Sequence, residues 1–396
     1  MRIRSGSLVI AASASLVLAL AACGDDSSSD DQTSSNQSFT GDPVTVMTIA
    51  PVDTAAINQP EIHDAAKAAA ASINNAGGLN GHEVKVINCN DGNDTNKAAE
   101  CARQAVSENV VAVLGGFTTN GATINPILDQ AGIPWIGAPG FSPNELADKN
   151  SFPLLSGAPT FAGIAAKAVK DGCTSVATVL YDTPTTGKAV DLINLGLTAA
   201  GGQPATNIKV PTTTTDFGSV AKSAGEADCA IIGLPNDQTV AVAKAGESVG
   251  VDTRYYILSG GLNDTVLSQA GKAFEGAGSA SNFVVASNPV WDEAKASTDD
   301  VDWTGPYNQD TWASYRVFAD VMAGQPDITA ATVTAAMNGA KDIDAGGLMA
   351  PVDFTTEFAV PGLNRVFNRN VVYITADGGE VVQEGGFEDL GPFFGQ

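Results

Sequence analysis

From residue 44 onward the chain alternates two patterns, and that alternation leaves few folds open. Short β-branched and aliphatic runs, VTVMTIA (44–50), EVKVIN (83–88), VVAVLGG (110–116) and IPWIG (133–137), are separated by Ala-rich stretches. The first of these stretches, PEIHDAAKAAAASINNAGG, carries Pro60 and Glu61 in its first turn and Gly77-Gly78 as its stop, the marks of a helix. Asn96 to Val106 sets Ala98, Ala99, Ala102, Ala105 and Val106 on one helical face, and Ala122 to Gln130 reads as a third helix. The rhythm resumes with a helix over Thr160–Lys170, then SVATVLY (175–181), a helix over Gly187–Ala199, a strand near NIKVP (207–211) and a helix over Phe217–Ala227. CAIIGL (229–234), a helix over Asp237–Ser248, RYYIL (254–258) and NFVVA (282–286) complete it. Strand runs that are apolar along their whole length are covered on both faces. Repeated βαβ units of this kind build parallel sheets wound with helices, an α/β class.

The tail breaks the rhythm. Thr311–Met322 and Thr329–Met337 read as consecutive helices. LNRVFNRNVVYITADGGEVV reads as antiparallel strands around turns at Asn368–Asn370 and Asp377–Gly379.

The first forty residues have another purpose. Arg2 and Arg4 precede an apolar segment from Leu8 to Leu20. It is too short for a span, which needs about 20 apolar residues, and reads as an export signal over 1–22. It ends Leu20-Ala21-Ala22-Cys23, which resembles the bacterial lipobox, so Cys23 is the expected lipid carrier. Residues 24–40 lack large aliphatics and are rich in Asp, Ser and Gln, so 23–41 is expected to be a lipidated, disordered tether. The remaining length suits two lobes better than one core.

Acidic residues outnumber basic ones by 44 to 20, a net charge of −24, with no basic stripe. That argues against nucleic acid and against charge-driven binding to an anionic membrane. Four cysteines remain beside Cys23, and an even number in an exported chain suggests two disulfides. Cys89 with Cys101 would close a small loop; Cys173 with Cys229 would join the starts of two strands. Free buried thiols are the alternative.

Catalytic signatures are missing. There is no G-x-S-x-G elbow, no P-loop and no G-x-G-x-x-G after the first strand. The two histidines, His63 and His82, have no metal partner at useful spacing and read as solvated polar residues. Asp300 to Gly305 imitates the start of a calcium loop, but the twelfth position is Thr311 rather than Glu. Neither an enzyme, a metal site nor a cofactor is expected.

Residues 73–81, INNAGGLNG, followed by EVKVINCNDGNDTNKAAECARQAV, resemble the leucine/isoleucine/valine-binding family of ABC-transporter solute-binding proteins. The likeness continues through VVAVLGGFTTNGA and IPWIGAPGFSPNEL and spans the chain after the tether. It implies the type I periplasmic binding fold: two Rossmann-like lobes, three crossovers and a ligand cleft between them. Lobe 1 would be 42–158 plus 288–348, and lobe 2 would be 159–287 plus 349–396. It further implies a monomer that delivers a small carboxylate-bearing solute, an amino acid or analogue, to ABC permease subunits. The lipid would hold it at the outer face of the cytoplasmic membrane, on the cell surface or in the periplasm. Alternatives are a ligand sensor on the same fold, a binder of an amide or aromatic carboxylate, and, last, an exported α/β enzyme.

Site residues follow from the strand ends, where open α/β sheets bind ligands. In the family the loop after VVAVLG holds the ligand carboxylate. Here it contains Phe117, Thr118 and Thr119, with Thr119 at the matching hydroxyl, and a helix N-terminus that favours an anion. In the next loop Gly140 and either Phe141 or Ser142 take the family's backbone and hydroxyl roles. Asn58 and Gln59 would face the ligand's distal end. In lobe 2 the departures begin: Thr186, after Tyr181, stands where the family has an aromatic residue, and Gly261 is nearest its ammonium-binding acid. Asp237, beside Asn236, or Asp264, beside Asn263, would have to replace that acid, because an unpaired buried ammonium costs several kcal/mol.

Overall fold

Val44 to Ala50 lies buried at all but one position, as a strand covered on both faces must. It belongs to β1 (Gly41–Ala50), an inner strand of the first sheet in a computed structural model that describes residues 38–54, 57–183, 186–258 and 260–396. The export signal, Cys23 and most of the tether lie outside the described residues. Where the description starts, Thr40 and Gly41 already donate to the Gly81 carbonyl.

Around β1 the chain adds α1 (Pro60–Asn75), β2 (His82–Asn90), α2 (Thr95–Ser107), β3 (Val113–Leu114), α3 (Gly121–Ala131), β4 (Trp135–Ile136), α4 (Pro143–Ala147) and β5 (Ser151–Phe152). The strands run parallel in the order β2-β1-β3-β4-β5. The alanines of α1 are mostly buried, and after Asn75 the chain turns at Gly77 and Gly78, whose φ angles of 109° and 76° favour glycine.

The second sheet follows: α5 (Thr160–Lys170), β6 (Val176–Tyr181), α6 (Thr186–Ala199), β7 (Thr206–Val210), α7 (Gly218–Ala224), β8 (Cys229–Gly233), α8 (Asn236–Val249), β9 (Arg254–Ile257), α9 (Asp264–Ala270) and β10 (Gly278–Ser281). The chain then returns to the first lobe with α10 (Asp292–Ser297), α11 (Pro306–Met322) and α12 (Ala330–Gly339). It closes on the second sheet with the antiparallel hairpin β11 (Asn370–Asp377) and β12 (Glu380–Asp389). The order is β12-β11-β10-β9-β8-β6-β7, parallel from β10 to β7. These are the two mostly parallel lobes and three crossings of the type I periplasmic binding fold. Both disulfides form as paired above, Cys89–Cys101 between β2 and α2 and Cys173–Cys229 between the starts of β6 and β8.

Three local readings change. NFVVA is not a strand; the pairing segment is the preceding Gly278–Ser281. A Cβ on Gly278 would lie 2.6 Å from the Tyr256 ring, so small residues fit beside β9. Phe283 and Val284 instead join the core of the first lobe, as do Met349, Val352 and Phe354. The second and third crossings therefore fall nearer residues 282 and 368 than 288 and 349. LNRVF is also no strand: Arg365 lies between the Phe152 and Phe367 rings, 4.6 and 4.5 Å from their centroids, and its Nε donates to the Ser151 carbonyl at 2.8 Å. Finally, α11 begins at Pro306, five residues before Thr311, with proline in the first turn where its missing N–H costs nothing.

Candidate functional site

Backbone constraints place the first-lobe loops. Gly115 and Gly116 have φ of 57° and 103°; a Cβ would come within 2.5 Å of Thr311 Cα at the first and 2.4 Å of the Ile49 carbonyl oxygen at the second. Only glycine lets the loop after β3 lie so close to β1 and α11. It then delivers Phe117, whose N–H donates to Ile49 at 2.9 Å. Thr118 is turned inward: its fully buried hydroxyl donates to Asp91 and accepts from the Asn120 N–H. Thr119 is exposed beside it.

After β4, Gly140 (φ 75°) turns the chain into Phe141 and Ser142. Ser142 caps α4, and Glu145 completes the box: its Oε2 accepts from the Phe141 and Ser142 N–H groups at 2.8 and 2.6 Å. Burial raises the Glu145 pKa, while these hydrogen bonds pull it down. Its Oε1 lies where a Cβ on Gly121 would be only 2.3 Å away, so the carboxylate also abuts the N-terminus of α3. The Ser142 hydroxyl is thus held by the cap, and Phe141 is the member of this pair that reaches the cleft, at 46 % exposure.

Sequence reasoning missed Tyr307, in the first turn of α11. Its ring centroid lies 4.6 Å from that of Phe117 and 6.1 Å from that of Phe141, while Phe117 and Phe141 are 5.6 Å apart, all edge-to-face. Burial, then Asp310, pushes its phenol pKa up. Gly305-Pro306 was the available signal, a helix start in a stretch read as a loop.

On the second lobe, Tyr181 donates to Gln238 Oε1 at 2.7 Å, and the Thr186 hydroxyl bonds back to the Tyr181 carbonyl. Both line a cavity of about 480 Å³ over the ends of β6, β8 and β9, with Asn236 at its edge. Asn236 and Asp237 open α8. Asn263 caps α9, its Oδ1 accepting from the Val266 N–H at 2.9 Å.

A cavity of about 510 Å³ draws on both lobes: Asn58, Gln59, Phe117 and Tyr307 from one, and Asn236, Asp237 and Asn263 from the other. Asn58 is anchored by accepting from the Asp53 N–H at 2.8 Å. Deeper, toward the crossings, a mainly apolar chamber is walled by Pro139, Phe141, Leu155, Leu262 and Ile374. The two share Gly260, Pro306 and Tyr307. Carboxylates of Glu61, Asp237 and Asp302 border the outer cavity, and among the described residues no lysine or arginine lines either space. Asp264 lines a third cavity, of about 730 Å³, with Lys295 and Glu380; it adjoins the inner chamber through Leu262, Ser281, Thr304, Gln309 and Ile374, and the outer cavity through Thr265 and Asp302. Burial raises the Asp264 pKa, and the Asp302 and Glu380 carboxylates add to that. Its N–H donates to Thr304 Oγ1 at 2.9 Å, and Thr265 Oγ1 donates to Asp302 at 2.8 Å, so the α9 start touches the first lobe. His63 is not the solvated residue expected: its Nε2 is enclosed, and burial lowers its pKa.

Solved structures share this architecture. A leucine-binding protein, LivK, from Thermotoga maritima is 18 % identical, with a TM-score of 0.70 over 87 % of this chain and 99 % of that one. The LivJ protein of Streptococcus pneumoniae, in complex with isoleucine, is 17 % identical, with a TM-score of 0.68 over 86 % and 100 %. A fatty acid ABC transporter substrate-binding protein from Thermomonospora curvata is 15 % identical, with a TM-score of 0.73 over 90 % and 95 %. No curated protein matches the chain significantly. The family model described as periplasmic binding protein matches residues 53–380, and with that match the chain belongs to the periplasmic binding protein family.

Proposed function

We propose that this chain is an extracytoplasmic solute-binding lipoprotein of an ABC importer, anchored through Cys23, that captures a small carboxylate-bearing solute such as an amino acid. The outer cavity built from both lobes carries the reading, because a ligand there gains contacts on closure that neither lobe offers alone. Asp237 is the ammonium partner in this scheme: it borders that cavity, whereas Asp264 does not. The ligand body would lie on Phe117, Phe141 and Tyr307; Thr119, the hydroxyl expected at its carboxylate, does not itself line either cavity. The closed form would dock on the permease.

The inner chamber, mainly apolar though of only about 60 Å³, favours a second reading, a carboxylate or amide with an apolar end and no ammonium. The fatty-acid binder of the same fold supports it.

Thermal shift on protein unfolded and refolded to strip carried solute separates the two. Amino acids, amides, aromatic carboxylates and short fatty acids would be screened. A ligand at 100 times its Kd adds about 2.7 kcal/mol to native stability. Shifts with amino acids that Asp237→Ala abolishes are expected. Shifts confined to ligands without an ammonium would move the assignment to the second reading, and turnover of any of them would refute a pure binding role.

A further inference from the structure

The three crossings are tied to one another by buried polar side chains, one on each. Ser156 lies on the first, between β5 and α5; Asn282 on the second, directly after β10; Asn368 on the third, just before β11. Ser156 and Asn368 are fully buried and Asn282 is 5 % exposed. The Ser156 N–H donates to Asn282 Oδ1 at 3.0 Å. Asn282 Nδ2 donates to Ser156 Oγ at 2.5 Å and to the Asn370 carbonyl at 2.8 Å, which uses both of its protons. Ser156 Oγ donates to the Asn368 carbonyl at 2.8 Å. Asn368 Nδ2 donates to the Leu154 carbonyl at 2.9 Å, and its Oδ1 accepts from the Asn370 N–H at 3.1 Å. No side-chain atom of the three is left without a partner.

Asn282 also lines the inner chamber of the cleft, with Phe141 and Tyr307 across from it. It is therefore the one member of the knot that touches both the ligand space and all three crossings.

We propose that Asn282 is a positioning residue that makes the three crossings bend as one. Lobe closure changes backbone torsions on each crossing. If one crossing bent alone, buried donors and acceptors on the other two would lose their partners; Ser156 and Asn368 are fully buried and line neither cavity, so water in the inner chamber could not replace theirs. The knot thereby restricts the lobes to a few mutual orientations instead of a continuum. The inference rests on the two-lobed fold and the hydrogen bonds, not on the identity of the ligand.

The test needs no ligand. Spin labels on ketone amino acids at Asn96 and Lys188, exposed in the first turns of α2 and α6, one in each lobe, leave the disulfides intact. Pulsed electron–electron resonance on the full-length lipidated chain in detergent then reads the distribution of lobe separations. Asn282→Asp keeps the shape but loses both Nδ2 donations; Ser156→Ala removes the hydroxyl bridge between the second and third crossings. Either should at least double the width of the distribution or add a second population. Thr178→Ala, which removes a buried hydroxyl bonded to Asn207 inside the second lobe, should leave the width unchanged. If Asn282→Asp does not fold, Ser156→Ala carries the test. Wild-type widths in the folded knot variants would overturn the proposal, as would equal broadening in Thr178→Ala.

Discussion

Asp310 offers the sharpest test of how the first lobe is held together. It is fully buried on α11, one turn beyond Tyr307, and neither carboxyl oxygen has a hydrogen-bond partner. The group faces bare glycine backbone: a Cβ on Gly137 would lie 2.9 Å from Asp310 Oδ2. Burial alone pushes its pKa well above the ordinary carboxylate range. A carboxyl with a raised native pKa holds a proton in the folded state that the unfolded chain releases above about pH 4. Stability is therefore fully present at low pH and falls as pH rises toward the native pKa. Within that window each pH unit costs about 1.4 kcal/mol. For a lobe of this size that corresponds to about 3–6 °C in Tm per unit. Asp310→Asn keeps the shape and removes the titration. Urea and thermal unfolding of both proteins from pH 5 upward should show the variant gaining on the wild type by that slope until the native pKa is passed, since the other carboxylates cancel in the difference. Parallel profiles across the range would show that the carboxyl titrates alike in folded and unfolded chains, and would refute the argument.

Replacing Cys89 and Cys101 together by alanine should cost about 3 kcal/mol, and Cys173 with Cys229 about 4, because the second pair closes the longer loop; chemical denaturation measures both. Phe141→Ala should cost little stability, since the ring is half exposed, but weaken the ligand found by thermal shift about tenfold in titration calorimetry; unchanged affinity would remove the ring from the site. Cys23→Ala should release the protein from the membrane fraction, and continued retention would refute lipid anchoring at that residue.

How much of this was legible follows from the range of the forces involved. The βαβ rhythm and the glycine stop after α1 could be read from local pattern, because strand burial and helix termination are set within a few residues; the cysteine pairings were suggested by an even count, and only the fold brings Cys173 to Cys229, 56 residues on. The FVV run misled because an apolar segment reads alike whether it pairs in a sheet or fills a neighbouring core. Gly278 beside Tyr256 decided which segment paired, and that contact spans 22 residues of sequence. The resemblance pointed to the strand-end loops, and Phe117 and Asp237 do line the outer cavity. Local pattern cannot show that the Ser142 hydroxyl is taken up by the α4 cap while Phe141 stays exposed, or which cavity Asp237 and Asp264 each line, because both depend on tertiary placement. Gly305-Pro306 marked a helix start but not that Tyr307 would meet Phe117 and Phe141, and the knot of Ser156, Asn282 and Asn368 lay beyond local pattern altogether. Their partners are brought together only when the chain crosses between the lobes, and the need to pair every buried polar group then decides where each side chain points.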